Sequence, residues 1–180
     1  MVITKDLLLK LLNMDLELEY SAAIQYITHA SLITPLPPYE VISREITIDA
    51  LEEMLHAIML AGQITHLGGC PSTKVAQVYL PDDGTEMFAH DLNDEVDAIW
   101  RYSRRIQQAE QLKEYDLAKD LRSILAMEQE HLLDFENKHA FSQRERAPLI
   151  TDIFEGDEFS KKWAERASHV PPRTRRENQP

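Results

Sequence analysis

Apolar residues recur every three to four positions over four long stretches of this chain, and each stretch predicts an amphipathic helix. The first runs from about Thr4 to Leu32, with Leu8, Leu12, Ala22, Ala23, Tyr26, Ala30 and Ile33 in its stripe. Thr4 suits an N-cap, and Pro35, Pro37 and Pro38 stop the helix. The second spans about Glu40 to Leu67 and ends at Gly68-Gly69. The third opens near Asp83–Thr85 and runs to about Leu112; the fourth covers about Tyr115 to Phe141. Between Gly68 and Asp83 lies "GGCPSTKVAQVYLPDD", with two prolines and a short β-like alternation, which reads as one long connection. Helices of roughly 28 residues are ~42 Å long. Short turns make each pair an antiparallel hairpin, and the middle connection is long enough to run the length of the bundle. The third helix is then antiparallel to the first. An all-α four-helix bundle with one long crossover follows.

Charged residues interrupt these stripes in a repeated pattern. Glu53 and His56 form one Glu-x-x-His motif and Glu128 and His131 another. Glu19 precedes the first by 34 residues and Glu95 precedes the second by 33. Tyr26 and Tyr102 each follow their lone glutamate by seven positions, on the same helix face. Leu60, Ile64 and Leu67 continue the stripe of Glu53 and His56. Leu92, Val96, Ile99 and Ile106 flank Glu95, and Leu121, Ile124, Leu125, Leu132 and Phe135 surround Glu128 and His131. Burying four bare carboxylates is very costly. Two divalent cations cancel that charge, and two neutral imidazoles add none. Six ligands on four helices are what a two-metal carboxylate site needs. Oxygen and imidazole donors suit iron or manganese, and the lack of thiolates argues against structural zinc.

One Glu-x-x-His alone is common in helices; the doubling carries the metal reading. Glu52, Glu110, Glu114 and Glu130 read as solvated helix charges. His29, His66, His90, His139 and His169 lack ligand spacing and are expected on surfaces or at helix ends. Tyr26 is the candidate catalytic side chain. The alternative is a packed aromatic whose hydroxyl bonds a ligand carboxylate.

Composition narrows the class. At 180 residues one domain with a substantial core is expected. Net charge is −12, against a nucleic-acid surface and in favour of cations. Residues 161–180 hold six Lys/Arg and two Asp/Glu, so this stretch is +4 and the rest −16. The lone Cys70 cannot form an intrachain disulfide, and no secretory signal or ~20-residue apolar span is apparent. A cytoplasmic protein without membrane contact is expected.

The residues together resemble the di-iron centre of the ferritin-like superfamily, and most of all bacterioferritin. "DLELEYSAAIQY" looks like its first helix, "EEMLHA" its second, "DLNDEV" its third and "EQEHLLDF" its fourth. The resemblance covers roughly residues 3–140. It implies Glu53 and Glu128 as bridging ligands, Glu19 and Glu95 as terminal ones, and His56 and His131 on one iron each. It also implies oxidation of Fe(II) by dioxygen or peroxide, and iron storage in a 24-subunit shell. Met54 falls where bacterioferritin carries a haem b ligand, one from each of two subunits. About 100° around the helix from Glu53, it points off the metal face, so a homodimer is expected with or without haem.

Some features depart from that family. "TPLPPYE" is unlike its first turn, and Ile48 stands where an inner-surface histidine can occur. Residues 1–144 are expected to form the bundle. Residues 145–180 form an extension with a short helix around Phe159–Ala167 and a disordered basic end, which could dock to an unidentified partner. Because this extension does not resemble the family's fifth helix, two alternatives stay open. One is a non-cage di-iron or manganese oxidoreductase, rubrerythrin-like or catalase-like. The other is a non-enzymatic bundle that binds haem or a partner.

Overall fold

The computed structural model describes residues 2–33, 39–80 and 84–145. Four helices make up its regular structure: α1 (Lys5–Leu32), α2 (Tyr39–His66), α3 (Gly84–Gln111) and α4 (Tyr115–Glu145). Their limits fall within a few residues of those expected from periodicity. α1 begins where Thr4 Oγ1 accepts the Leu7 N–H at 3.2 Å, which satisfies an otherwise orphaned donor. α2 ends in a Schellman motif. The Gly69 N–H reaches Ile64 O and the Gly68 N–H reaches Thr65 O, both at 2.9 Å, with Gly68 at φ +79°. A Cβ at Gly69 would meet Leu9 Cδ2 at 2.8 Å, so a side chain there would have to displace Leu9. α3 ends the same way at Lys113, at φ 63°, and α4 follows at once.

α1 packs antiparallel on α2, and α3 on α4. Paired residues across the seam fix the remaining directions. His29, Gln25, Tyr26, Glu19 and Asp15 of α1 meet Asp91, Asp94, Glu95, Tyr102 and Arg105 of α3 in that order. α1 and α3 are therefore antiparallel, as the long connection implied. That connection has no regular structure over residues 69–80 and lies along α1. The Ser72 N–H donates to Asn13 Oδ1 (2.6 Å), the Ala76 N–H to Glu17 O (3.0 Å) and the Tyr79 N–H to Gln25 Oε1 (2.8 Å). Backbone donors of an irregular segment are thus met by the helix beneath it.

Two apolar clusters fill the interior. Leu8, Leu12, Leu16, Leu60, Ile64, Ile106 and Leu121 belong to one; Tyr26, Ile46, Met87, Phe88 and Phe135 belong to the other. The motif residues lie between them on every helix, forming a buried polar layer across the middle of the bundle. The extension beyond residue 145 and the first interhelical turn, with their expected short helix and basic end, lie outside the described residues. No described helix is long and apolar enough to cross a membrane.

Candidate metal centre

Helical spacing brings all six sequence-selected ligands together. Glu19, Glu53, His56, Glu95, Glu128 and His131 are each at most 2% exposed. Their donor atoms form two overlapping groups, with atoms in each within 4.8 Å of one another. One comprises Glu19, Glu53, His56 and Glu128; the other comprises Glu53, Glu95, Glu128 and His131. Glu53 and Glu128 belong to both. His56 presents Nδ1 to Glu53 Oε2 (3.1 Å), Glu128 Oε1 (3.1 Å) and Glu19 Oε2 (3.4 Å). His131 presents Nδ1 to Glu53 Oε1 (3.0 Å), Glu95 Oε1 (3.8 Å) and Glu128 Oε2 (3.9 Å).

Several buried ligand atoms at this centre make no well-aligned hydrogen bond and have at most an imidazole–carboxylate ion pair: Glu19 Oε2, Glu53 Oε1, Glu95 Oε2, Glu128 Oε1 and His131 Nδ1. Native interiors rarely leave such atoms unmet. Five of them converging on one point fit a pair of hard or borderline divalent cations.

The two tyrosines cross the seam. Tyr26 Oη donates to Glu95 Oε1 and Tyr102 Oη to Glu19 Oε1, each at 2.5 Å. Each tyrosine thus fixes one oxygen of the lone glutamate of the other half. Burial, followed by the charge of Glu95 for Tyr26 and of Glu19 for Tyr102, pushes both phenols well above their ordinary pKa.

Without metal the cluster keeps protons. Burial, and then the charge of Glu19, pushes Glu53 up to about 7. Burial and neighbouring carboxylates also raise Glu95 and Glu128. Burial would raise Glu19 as well, but contacts with His56 and Glu53 and the charge of Arg101 hold it at about 2. Burial would lower both histidines. Their carboxylate neighbours win instead, lifting His56 to about 12 and His131 to about 10. Protonated imidazoles thus stand in for cations in the metal-free centre.

The structure corrects several expectations. Glu52 is not a free surface charge: its Oε2 lies 2.8 Å from His131 Nε2. His29 is fully buried. Its Nδ1 faces Asp91 at 2.9 Å and its Nε2 faces Tyr79 O at 3.0 Å, so it ties α1 to α3 and to the crossover. His90 and His139 are half-buried, and His90 stacks on Tyr79. His66 is exposed as expected, and His169 lies outside the described residues. Val96 turns to the surface, 49% exposed, rather than flanking the centre. Glu110 and Glu130 are exposed, with Glu110 paired to Arg122, and Glu114 is half-buried. Sequence reasoning missed the buried pairs Asp15–Arg105 and Asp49–Lys138. Their signal was a charged residue inside an apolar stripe.

A cavity of about 290 Å³ reaches the centre between α1 and α3. Glu19, Glu53, Glu95 and Glu128 line its inner part, and Asp94, Asp97 and Trp100 also contribute.

Comparison with known proteins agrees with this geometry. The ferritin-like domain model matches residues 9–140. A bacterioferritin of Streptomyces coelicolor is 30% identical over 125 residues, covering 69% of this chain and 74% of that protein. Among solved structures, a ferritin-like di-iron carboxylate protein of Bacillus anthracis is 30% identical. It superposes with a TM-score of 0.71 over 75% of this chain and 96% of that one. Desulfovibrio desulfuricans bacterioferritin, whose di-iron site was captured in different catalytic states, is 26% identical. It also gives a TM-score of 0.71, over 78% of this chain and 82% of that one. The chain therefore belongs to the ferritin-like family, among the di-iron carboxylate proteins that include the bacterioferritins.

Proposed function

We propose that this protein is a bacterioferritin-like ferroxidase that takes Fe(II) as substrate at the six-residue centre. The observation that carries this reading is the pair of ligand groups sharing Glu53 and Glu128, with their unmet buried oxygens. Glu53 and Glu128 bridge, Glu19 and Glu95 are terminal, and His56 and His131 bind one ion each. Four carboxylates balance two divalent ions, so loading removes the charge that burial penalises. Manganese meets the same donor set. Each Fe(II) gives up one electron. Two electrons and two protons convert dioxygen to hydrogen peroxide, or hydrogen peroxide to two waters. The acidic cavity between α1 and α3 gives ions and oxidant a path to the centre. Tyr26 orients Glu95 and, as a buried phenol, is our candidate for a redox side chain. Replacing Glu128 with Ala removes a ligand from both positions and should lower Fe(II) oxidation at least about tenfold. Unchanged metal stoichiometry and rate would sink the assignment.

The outer face of α2 bears on assembly. Val41, Ile48, Leu51, Met54, Leu55 and Ile58 are each 38–63% exposed there, a heptad-like apolar row of the kind that meets a partner. A homo-oligomer built on a dimer covers it, with storage of the ferric product if the oligomer closes into a cage. In a twofold dimer each subunit presents the same face, and one Met54 thioether from each could hold a haem. A Soret band removed by Met54→Leu, with the dimer intact by light scattering, is the measure of that haem.

A further inference from the structure

The two metal positions are not equivalent, and the difference lies in residues outside the six candidate ligands. His131 and His56 present the same nitrogen, Nδ1, to the carboxylates. Behind His131, Nε2 faces Glu52 Oε2 at 2.8 Å. Behind His56, Nε2 is buried and has no hydrogen-bond partner. Glu52 immediately precedes Glu53, and the residue at the matching place before Glu128 is Met127, which offers no carboxylate. A carboxylate accepting the far N–H of a ligating histidine fixes its tautomer, leaves the lone pair on the metal side and raises ligand basicity.

A second observation points the same way. Arg101 Nη2 lies 3.9 Å from Glu19 Oε1, the terminal carboxylate on the His56 side. Seventy-six residues earlier, the matching position on α1 is the neutral Gln25, which is bonded to Asp91 and Asp94. A fixed guanidinium beside one terminal carboxylate competes with a cation there and repels it.

Resting on the di-metal reading above, we infer that the Glu53–Glu95–Glu128–His131 position binds the tighter ion and fills first. Glu52 is its positioning residue, and Arg101 weakens the Glu19–Glu53–His56–Glu128 position. The centre therefore loads in order: a retained first ion, then a looser second one on the side of Glu19.

Anaerobic titration of the metal-free full chain with Co(II), followed by calorimetry and by the visible cobalt bands, tests this. Wild type should take up two Co(II) per chain in two steps. His131→Ala should lose the tight step and His56→Ala the loose one. Glu52→Ala should weaken the tight step 10–100-fold and shift the bands of the first ion. Glu52→Gln, whose amide oxygen still accepts the imidazole N–H, should restore most of the lost affinity, which a merely structural defect would not allow. Arg101→Gln should tighten the loose step alone, by several-fold. Two equal steps in wild type, or a Glu52→Ala titration indistinguishable from it, overturns the inference and leaves the di-metal reading standing. Uptake of fewer than two Co(II) by wild type overturns the di-metal reading itself.

Discussion

The first hairpin and the second carry matching parts in matching places, about 76 residues apart on α1 and α3 and 75 on α2 and α4. Glu19 answers to Glu95, Tyr26 to Tyr102, Glu53 to Glu128 and His56 to His131. The correspondence extends beyond the ligands. Asp15 of α1 accepts Arg105 Nε at 2.6 Å and Arg101 Nη1 at 3.2 Å. Its counterpart, Asp91 of α3, meets His29 and Gln25, and these occupy the places matching Arg105 and Arg101. A buried aspartate thus closes each end of the seam by reaching to the opposite hairpin. One end uses fixed cations. The other uses an imidazole and an amide that also hold the crossover through Tyr79. The candidate ligands repeat, as two cations of one kind would require. The surroundings diverge where the strap's Tyr79 backbone is held by His29 and Gln25, a contact that Arg105 and Arg101 do not make at the other end.

The largest effect should come from cutting the two aspartate closures. Asp15→Ala leaves the buried Arg105 guanidinium without its carboxylate, and a guanidinium cannot shed its charge. The expected cost is about 3–5 kcal/mol, read as a lower denaturant midpoint. Asp91→Ala removes the acceptor shared by His29 Nδ1 and Gln25 Nε2, and the cost should be about 1–3 kcal/mol. Equal losses would show that the two closures are energetically alike.

The tyrosine pair gives a finer comparison. Tyr26→Phe and Tyr102→Phe each remove one donor from a buried carboxylate, and each should cost about 1–3 kcal/mol. If both only position glutamates, they should slow Fe(II) oxidation to a similar degree. A rate loss confined to Tyr26→Phe, with loss of a tyrosyl radical signal in freeze-quenched samples, would mark Tyr26 as a redox participant.

The last comparison concerns pH, and it has opposite signs with and without metal. In the metal-free protein His56, at about 12, and His131, at about 10, stand above their ordinary 6.5. Their contribution to stability is complete below pH 6.5 and is lost as pH rises toward those values. Glu53, raised from 4.5 to about 7, behaves alike: its bound proton favours the folded state until pH passes 7. Glu19 runs the other way, but its window lies between 4.5 and about 2. Metal-free protein should therefore show a Tm that falls steadily as pH rises from 6 to 9. Metal binding displaces those protons, so affinity should rise over the same range. A metal-free Tm that climbs from pH 6 to 9 would contradict the assignment.

Most of the helical frame was legible in the sequence because its signals are local. Thr4, Gly68-Gly69 and the apolar period each act within a few residues. The clustering of the six candidate ligands was legible because their pattern occurs twice. Glu52, His29, Asp15 and Lys138 were not, since each owes its role to a partner at least 62 residues away. Carrying the 76-residue offset past the ligands would have exposed Asp15 and Asp91 as a pair. Nothing local distinguishes Glu52 from a solvated charge, because the histidine it supports is on another helix.

The crossover along α1 has a kinetic corollary. Each hairpin closes short loops, whereas contacts at the centre join residues far apart in the chain, such as Tyr26 and Glu95 at a separation of 69. Contacts of that kind are made late, when two preformed hairpins dock. Both ligand groups draw on both hairpins, so an isolated hairpin offers a cation no complete site. A bound ion then stabilises the docked state without stabilising what precedes it. Loading should register almost wholly as slower unfolding, with the refolding rate unchanged. A metal held at this centre would act as a latch on a finished assembly rather than as a template for building it.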